Sequence, residues 1–177
     1  MTDAEFREAY GRHKDMLYRF ARRMTGSSIV AEDLVHDCFL MLWRKAVTYD
    51  PERGTLRSFL IGVTRNLAFK HLHKQRVFDE LAEESAVWEP LRAKGSGRIE
   101  MVEQAVVALP PLQREALILA EYEEMTLEEI ARATGAELAA VKSRLHRARE
   151  NLRRWLTPLL VEGKGVETKG TAYGTHR

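Results

Sequence analysis

The chain has 177 residues, of which 45% are apolar and 31% charged, and a net charge of +2. That apolar share supports a packed core and excludes a disordered chain, and the length fits one mid-sized domain or two small ones. The total charge says little, but its distribution is uneven: acidic residues gather at 79–89 and 121–129, whereas Lys and Arg crowd 57–76 and 142–154. Two basic segments separated by an acidic stretch point to two nucleic-acid contacts on one chain. A lone cysteine, Cys38, fits a reducing compartment. Residues 1–10 are polar and acidic, unlike a signal peptide, and no apolar run reaches the length of a membrane span. The expected location is the cytoplasm.

In chain order, the first predicted helix covers residues 4–24, where Phe6, Tyr10, Leu17, Phe20, Ala21 and Met24 recur at helical steps. Gly26 ends it, and Ser27 or Ser28 caps the next helix, 29–46. The inward stripe of that helix is Val30, Leu34, Val35, Cys38, Phe39, Leu42 and Trp43. A loop with Pro51 and Gly54 precedes a third helix, 56–76, with Leu56, Phe59, Leu60, Val63 and Leu67 inward. Residues 77–98 read as a flexible linker, acidic at its start and rich in Gly and Ser at its end, with Trp88 and Leu91 as apolar exceptions.

A second domain begins near Ile99, with a helix to Ala108 that is stopped by Pro110-Pro111. Another helix spans 113–122, a short one ends at Ala133, and a long basic one covers 138–156, with Pro158 after its end. The tail 161–177 reads as disordered. The expected fold class is therefore all-α: two small helical domains, 1–77 and 99–160, joined by the linker 78–98.

The strongest local pattern lies between Leu127 and Leu145. Thr126 and Glu129 form a capping box. Ala131 is the small residue needed where two helices cross, and Gly135, four positions on, suits a turn with positive φ. Val141 and Leu145 then face the first helix of a helix-turn-helix; a plain helical hairpin is the alternative. Lys142, Ser143, His146 and Arg147 point outward near the start of the second helix, where a recognition helix meets base edges. Arg149, Arg153 and Arg154 suit phosphates, or simply a solvated basic face.

In the first domain, Asn66, Lys70 and His73 share one face of the third helix, with Arg65, Lys74 and Arg76 adding charge. An amide among cations can bond a base while the cations hold phosphates. Gly62, one turn earlier, marks either close helix packing or the approach of a ligand. On the second helix, Glu32, Asp33, His36, Asp37, Leu40, Met41 and Arg44 form a mixed face that suits a protein contact or plain solvation. His36 and Cys38 share one helix and His71 and His73 another, which raises zinc. But Cys38 falls on the core stripe, and the chain lacks a Gly-rich phosphate loop and a nucleophile elbow. No enzyme activity, metal, cofactor or small-molecule substrate is expected.

Taken together, the segments 31–44 (AEDLVHDCFLMLWR), 56–68 (LRSFLIGVTRNLA), 109–116 (LPPLQREA), 126–131 (TLEEIA) and 141–150 (VKSRLHRARE) resemble the bacterial extracytoplasmic-function sigma factors, over residues 5–157. The resemblance implies a subunit that binds core RNA polymerase and directs promoter-specific transcription initiation. It implies that Asp33, His36, Asp37 and Arg44 meet the clamp coiled coil of the polymerase, His36 standing where the family pattern has Gln. It implies that Arg65, Asn66, Lys70 and His73, with the loop 47–55, read the melted minus-10 element. Lys142, Ser143, His146 and Arg147 would read duplex minus-35 DNA, and an anti-sigma protein would hold the factor in check. The adjacent tryptophan pair of housekeeping factors is absent from this sequence. A conventional DNA-binding regulator is the rival reading; it would explain 99–157 and leave the first domain without a role.

Overall fold

The computed structural model describes residues 2–76 and 97–162, and every regular element among them is helical. The first domain comprises α1 (Asp3–Thr25), α2 (Ser28–Trp43), a single 3-10 turn at Pro51–Arg53 and α3 (Leu56–Arg76). The second comprises α4 (Arg98–Ala108), α5 (Pro111–Glu121), α6 (Leu127–Thr134) and α7 (Leu138–Glu162). The linker features read at Trp88 and Leu91, the acidic run from Asp79 and the tail beyond residue 162 lie outside the described residues.

Local chemistry fixes the helix ends. The Thr2 hydroxyl accepts from the Glu5 amide while Glu5 accepts from the Thr2 amide, a capping box at the start of α1. Gly26 ends α1 at φ 75°, a left-handed conformation that glycine adopts without a Cβ clash. Ser27, not Ser28, caps α2, accepting from the Val30 amide.

Three boundaries differ from the sequence reading. First, α2 stops at Trp43, because Lys45 turns to φ 55° and the amides of Ala46 and Val47 fold back onto the Met41 carbonyl. Second, α5 starts two residues earlier than expected, at Pro111, whose missing N–H costs nothing in a first turn. Third, α7 continues through Pro158 to Glu162; proline's φ is helical, and the break is confined to the carbonyl four residues back.

The cores of the two domains form one continuous cluster. In the first domain α1 brings Leu17, Phe20 and Met24 against Leu34, Val35 and Cys38 of α2 and Leu60 and Val63 of α3. In the second, Ile118 and Leu119 of α5 pack with Ile130 of α6 and Val141, Leu145 and Ala148 of α7. Each such fully buried aliphatic side chain contributes roughly 1.5–3 kcal/mol relative to exposure. The two halves join because α1 packs on α4 and α5 while α3 packs on α6. This explains two departures in side-chain placement. Ile61, Thr64 and Ala68 of α3 are buried in addition to the expected stripe, since α3 has neighbours on more than one side. Trp43, expected inward, is 46% exposed and stands edge-on to Phe6 at the margin of the core.

Candidate nucleic-acid and polymerase interfaces

The helix-turn-helix is built as its residues dictate. The Thr126 hydroxyl accepts from the Glu129 amide at 3.2 Å, and the Glu129 carboxylate accepts from the Thr126 amide at 2.8 Å. Those bonds hold the Glu129 carboxyl below the usual carboxylate range. Gly135 takes φ 66°, and the next amide, of Ala136, bonds the Ala131 carbonyl, so the chain turns directly from α6 into α7. With Val141, Leu145 and Ala148 buried, Lys142, Ser143, His146 and Arg147 are all exposed together near the start of α7. His146 lies 3.6 Å from Glu150 one turn on. Arg149 is engaged within the domain: its Nε donates to Glu121 of α5 at 2.9 Å.

On α3, Asn66, Lys70 and His73 are exposed on one face, as expected. Asn66 borders a cleft of about 550 Å³ walled by Tyr49, Arg53, Ser58 and Gly62 of the first domain and by Glu129 and Arg132 of α6. Gly62 faces α6 at ordinary contact distance: a Cβ there would lie 3.9 Å from the Ala133 carbonyl oxygen. Arg65 is placed differently from its three companions. Its guanidinium pairs with Glu115 of α5, bonds the Asn66 amide oxygen at 3.2 Å and lies over the Phe69 ring. Only 19% of its side chain is exposed.

On α2, Asp33, His36, Asp37 and Arg44 are exposed, and Leu40 and Met41 beside them are half-buried. The Phe6 and Tyr10 rings of α1 meet Phe39 and Trp43 at the edge of this face. Cys38 is fully buried, with its thiol toward the Leu60 carbonyl, and burial raises its pKa.

Residues 9–77 match the sigma-70 region 2 family, and residues 99–152 match sigma-70 region 4. An extracytoplasmic-function RNA polymerase sigma factor of Mycolicibacterium smegmatis is 31% identical over 84% of this chain, which spans 60% of that relative's length. The RNA polymerase sigma factor CarQ of Myxococcus xanthus is 29% identical over 89% of this chain and 92% of its own. A sigma factor from Bartonella quintana, solved with an anti-sigma factor, superposes with a TM-score of 0.69 at 27% identity, covering 86% of this chain and 97% of that one. The chain belongs to the extracytoplasmic-function sigma factors. Sigma factors of this group are DNA-binding factors that direct promoter-specific transcription initiation with RNA polymerase.

In this sigma factor, sequence reasoning missed the charged residues that join the two domains. Arg57 of α3 donates to the carboxylate of Glu123 at 2.8 Å and to its backbone carbonyl at 2.9 Å. Arg114, buried at the start of α5, donates to the carbonyls of Met24, Val107 and Leu109 and so covers the C-terminal ends of α1 and α4. Burial raises the pKa of both Glu115 and Glu123, although the guanidinium of Arg65 opposes this at the first and that of Arg57 at the second. One signal was present in the sequence: the adjacent charges Arg114-Glu115 precede the apolar run Ala116–Leu119, leaving little of α5 to face water. Among the described residues, no helix is long and apolar enough to cross a membrane.

Proposed function

We propose that this sigma factor divides promoter recognition between its domains and holds polymerase through α2. The first domain, residues 1–77, binds core polymerase and the minus-10 element; 78–98 is the linker, and 99–160 binds minus-35 DNA. The observation that carries this reading is the exposed set Lys142, Ser143, His146 and Arg147 at the start of the second helix of a helix-turn-helix. A helix end with a hydroxyl, an imidazole and cations on successive turns is the form that fits a major groove. Arg147 and His146 suit base edges, and Lys142 a phosphate.

Asn66, with Arg65, Lys70 and His73, takes the single-stranded minus-10 element, the amide oxygen and nitrogen bonding a base and the cations holding the strand. Asp33, Asp37 and Arg44, with His36 between them, pair with charges on the clamp coiled coil of the polymerase. The factor supplies no catalytic group; polymer chemistry belongs to the core enzyme, and the site of action is the cytoplasm. The solved Bartonella quintana relative is bound to an anti-sigma factor, which supports a partner of that kind here.

Size-exclusion chromatography of the chain with bacterial core RNA polymerase, followed by run-off transcription on fragmented genomic DNA, tests the proposal. Co-migration and a small set of new transcripts are expected. Tight duplex binding by the chain alone, without co-migration, would point to a conventional regulator.

A further inference from the structure

Helix α1 and the start of α3 hold a group of cations that the sites described above leave unused. Arg12, Arg19 and Arg23 recur at steps of seven and four, so they share one side of α1. Arg12 and Arg19 are exposed, and the guanidinium of half-buried Arg23 lies over the Tyr122 ring, 4.0 Å from its centre. Arg57 joins them from α3: it donates to Glu123, the residue after Tyr122, and its side chain remains 38% exposed. Burial, and after it the charges of Arg12 and Arg57, lower the pKa of half-buried His13 on α1, and Glu123 lies in the field of Arg57, Arg23 and Arg19. The four guanidiniums thus act across one stretch of surface. Nearby acids offset them only in part. Glu8 lies 3.0 Å from Arg12, but both side chains are mostly exposed, and such a pair is worth little in water. Asp15, one turn before Arg19, is exposed as well.

This surface has a defined position relative to Asn66. Arg57 precedes Asn66 on α3 by about 13 Å along the helix axis, at 1.5 Å per residue. Lys70 and His73 lie beyond Asn66, toward Arg76, where the chain leaves for the linker and the second domain. With that domain on minus-35 DNA, the Arg76 end of α3 faces upstream and the Arg57 end downstream. Template bases must be unpaired from the minus-10 element to the start site before they can be copied. The non-template strand is therefore single there, with a phosphate at every nucleotide. We infer, building on the proposed role of α3, that Arg57 and the α1 stripe of Arg12, Arg19 and Arg23 hold phosphates of the non-template strand downstream of the minus-10 element. Contacts of this kind add affinity and salt dependence without reading sequence.

The test uses the full chain in holoenzyme with core polymerase and two forked DNA probes. Both share one upstream duplex. The non-template strand of the first ends with the minus-10 element, and that of the second continues downstream as a single strand of mixed sequence. R12Q/R19Q changes the two exposed members of the stripe; R7Q/R98Q removes two exposed cations elsewhere. R12Q/R19Q should lose several-fold of the affinity that the extension adds. Its salt slope on the longer probe should fall by about 1.4, at about 0.7 for each single-strand phosphate contact. Binding to the shorter probe, co-migration with core and the unfolding midpoint should match the parent. R12K/R19K, which keeps the charges, should keep the gain, and R7Q/R98Q should behave as the parent. Full gain in R12Q/R19Q, equal loss on both probes, the same loss in R7Q/R98Q, or no gain in R12K/R19K overturns the inference. Loss of co-migration with core overturns it too, because the stripe would then be a polymerase contact.

N66A on the shorter probe separates this surface from the reading on which it builds. Weakened binding keeps α3 as the strand surface whatever R12Q/R19Q does, and unchanged binding removes that reading and the inference with it. A second measurement is independent of affinity. With Asp15, between Arg12 and Arg19, replaced by a photoreactive phenylalanine analogue, the holoenzyme should crosslink to the downstream extension of the non-template strand. Crosslinks confined to core polymerase or to the upstream duplex would overturn the inference.

Discussion

The guanidinium of Arg65 and the carboxylate of Glu115 stand 50 positions apart in the chain and meet across the junction of the two domains. The pair decides how the junction responds to pH. Burial raises the Glu115 pKa, against the cations of Arg65 and Arg144, and likewise that of Glu123, against Arg57, Arg23 and Arg19. A carboxyl whose pKa is higher in the packed junction than in water binds its proton more tightly there. The contact between the two domains should tighten as pH falls from neutrality through the raised range, and loosen as pH rises above it. Scattering measured over that range should show the chain contracting on acidification, before acid unfolding sets in, and E115Q/E123Q should lose the effect.

Thr126→Ala should cost about 1 kcal/mol of stability, since it removes an N-cap acceptor and half of a capping box. The loss should appear in chemical unfolding of the full chain followed by circular dichroism. Glu129, the other half, has its pKa lowered by the same bonds. Its contribution is present at neutral pH and is lost as pH falls through the lowered value.

Arg147→Ala should weaken binding to the minus-35 element by roughly 1–3 kcal/mol if the guanidinium makes a bidentate base contact, and should relax preference at one base pair. Lys142→Ala should instead weaken binding evenly across sequences and reduce the salt slope by about 1. Promoter variants titrated at several salt concentrations with holoenzyme separate the two behaviours. Identical profiles for both variants would remove the division of labour on α7.

Asp37→Arg should reduce co-migration with core polymerase while leaving the unfolding midpoint within about 0.5 kcal/mol of the parent, because the side chain is exposed on α2. Normal co-migration would move the polymerase contact away from this face.

Cys38 should resist thiol reagents in the native chain. It is fully buried, and burial raises its pKa, so the reactive thiolate is scarce at neutral pH. Labelling with a chromogenic disulfide is expected to follow unfolding; rapid native labelling would show that α2 opens from the core.

Much of this architecture was legible in the sequence because its signals are local. Helical spacing placed Leu17, Phe20 and Met24 inward; Thr126 with Glu129 announced a helix start, and Gly135 a turn, and each needs only a few neighbouring residues to act. The outward set on α7 followed from the same periodicity. What the tertiary structure alone decided is the junction between the domains. That Arg57 meets Glu123, that Arg65 meets Glu115, and that Arg114 reaches the carbonyl of Met24 are contacts between residues 50 to 90 positions apart. Charged side chains carry no periodic signature of their partners, so spacing shows that a cation is present and not what it pairs with. Burial of Ile61, Thr64 and Ala68 and exposure of Trp43 have the same origin: which sides of a helix are covered depends on what packs there, and for α3 that includes α6 of the second domain.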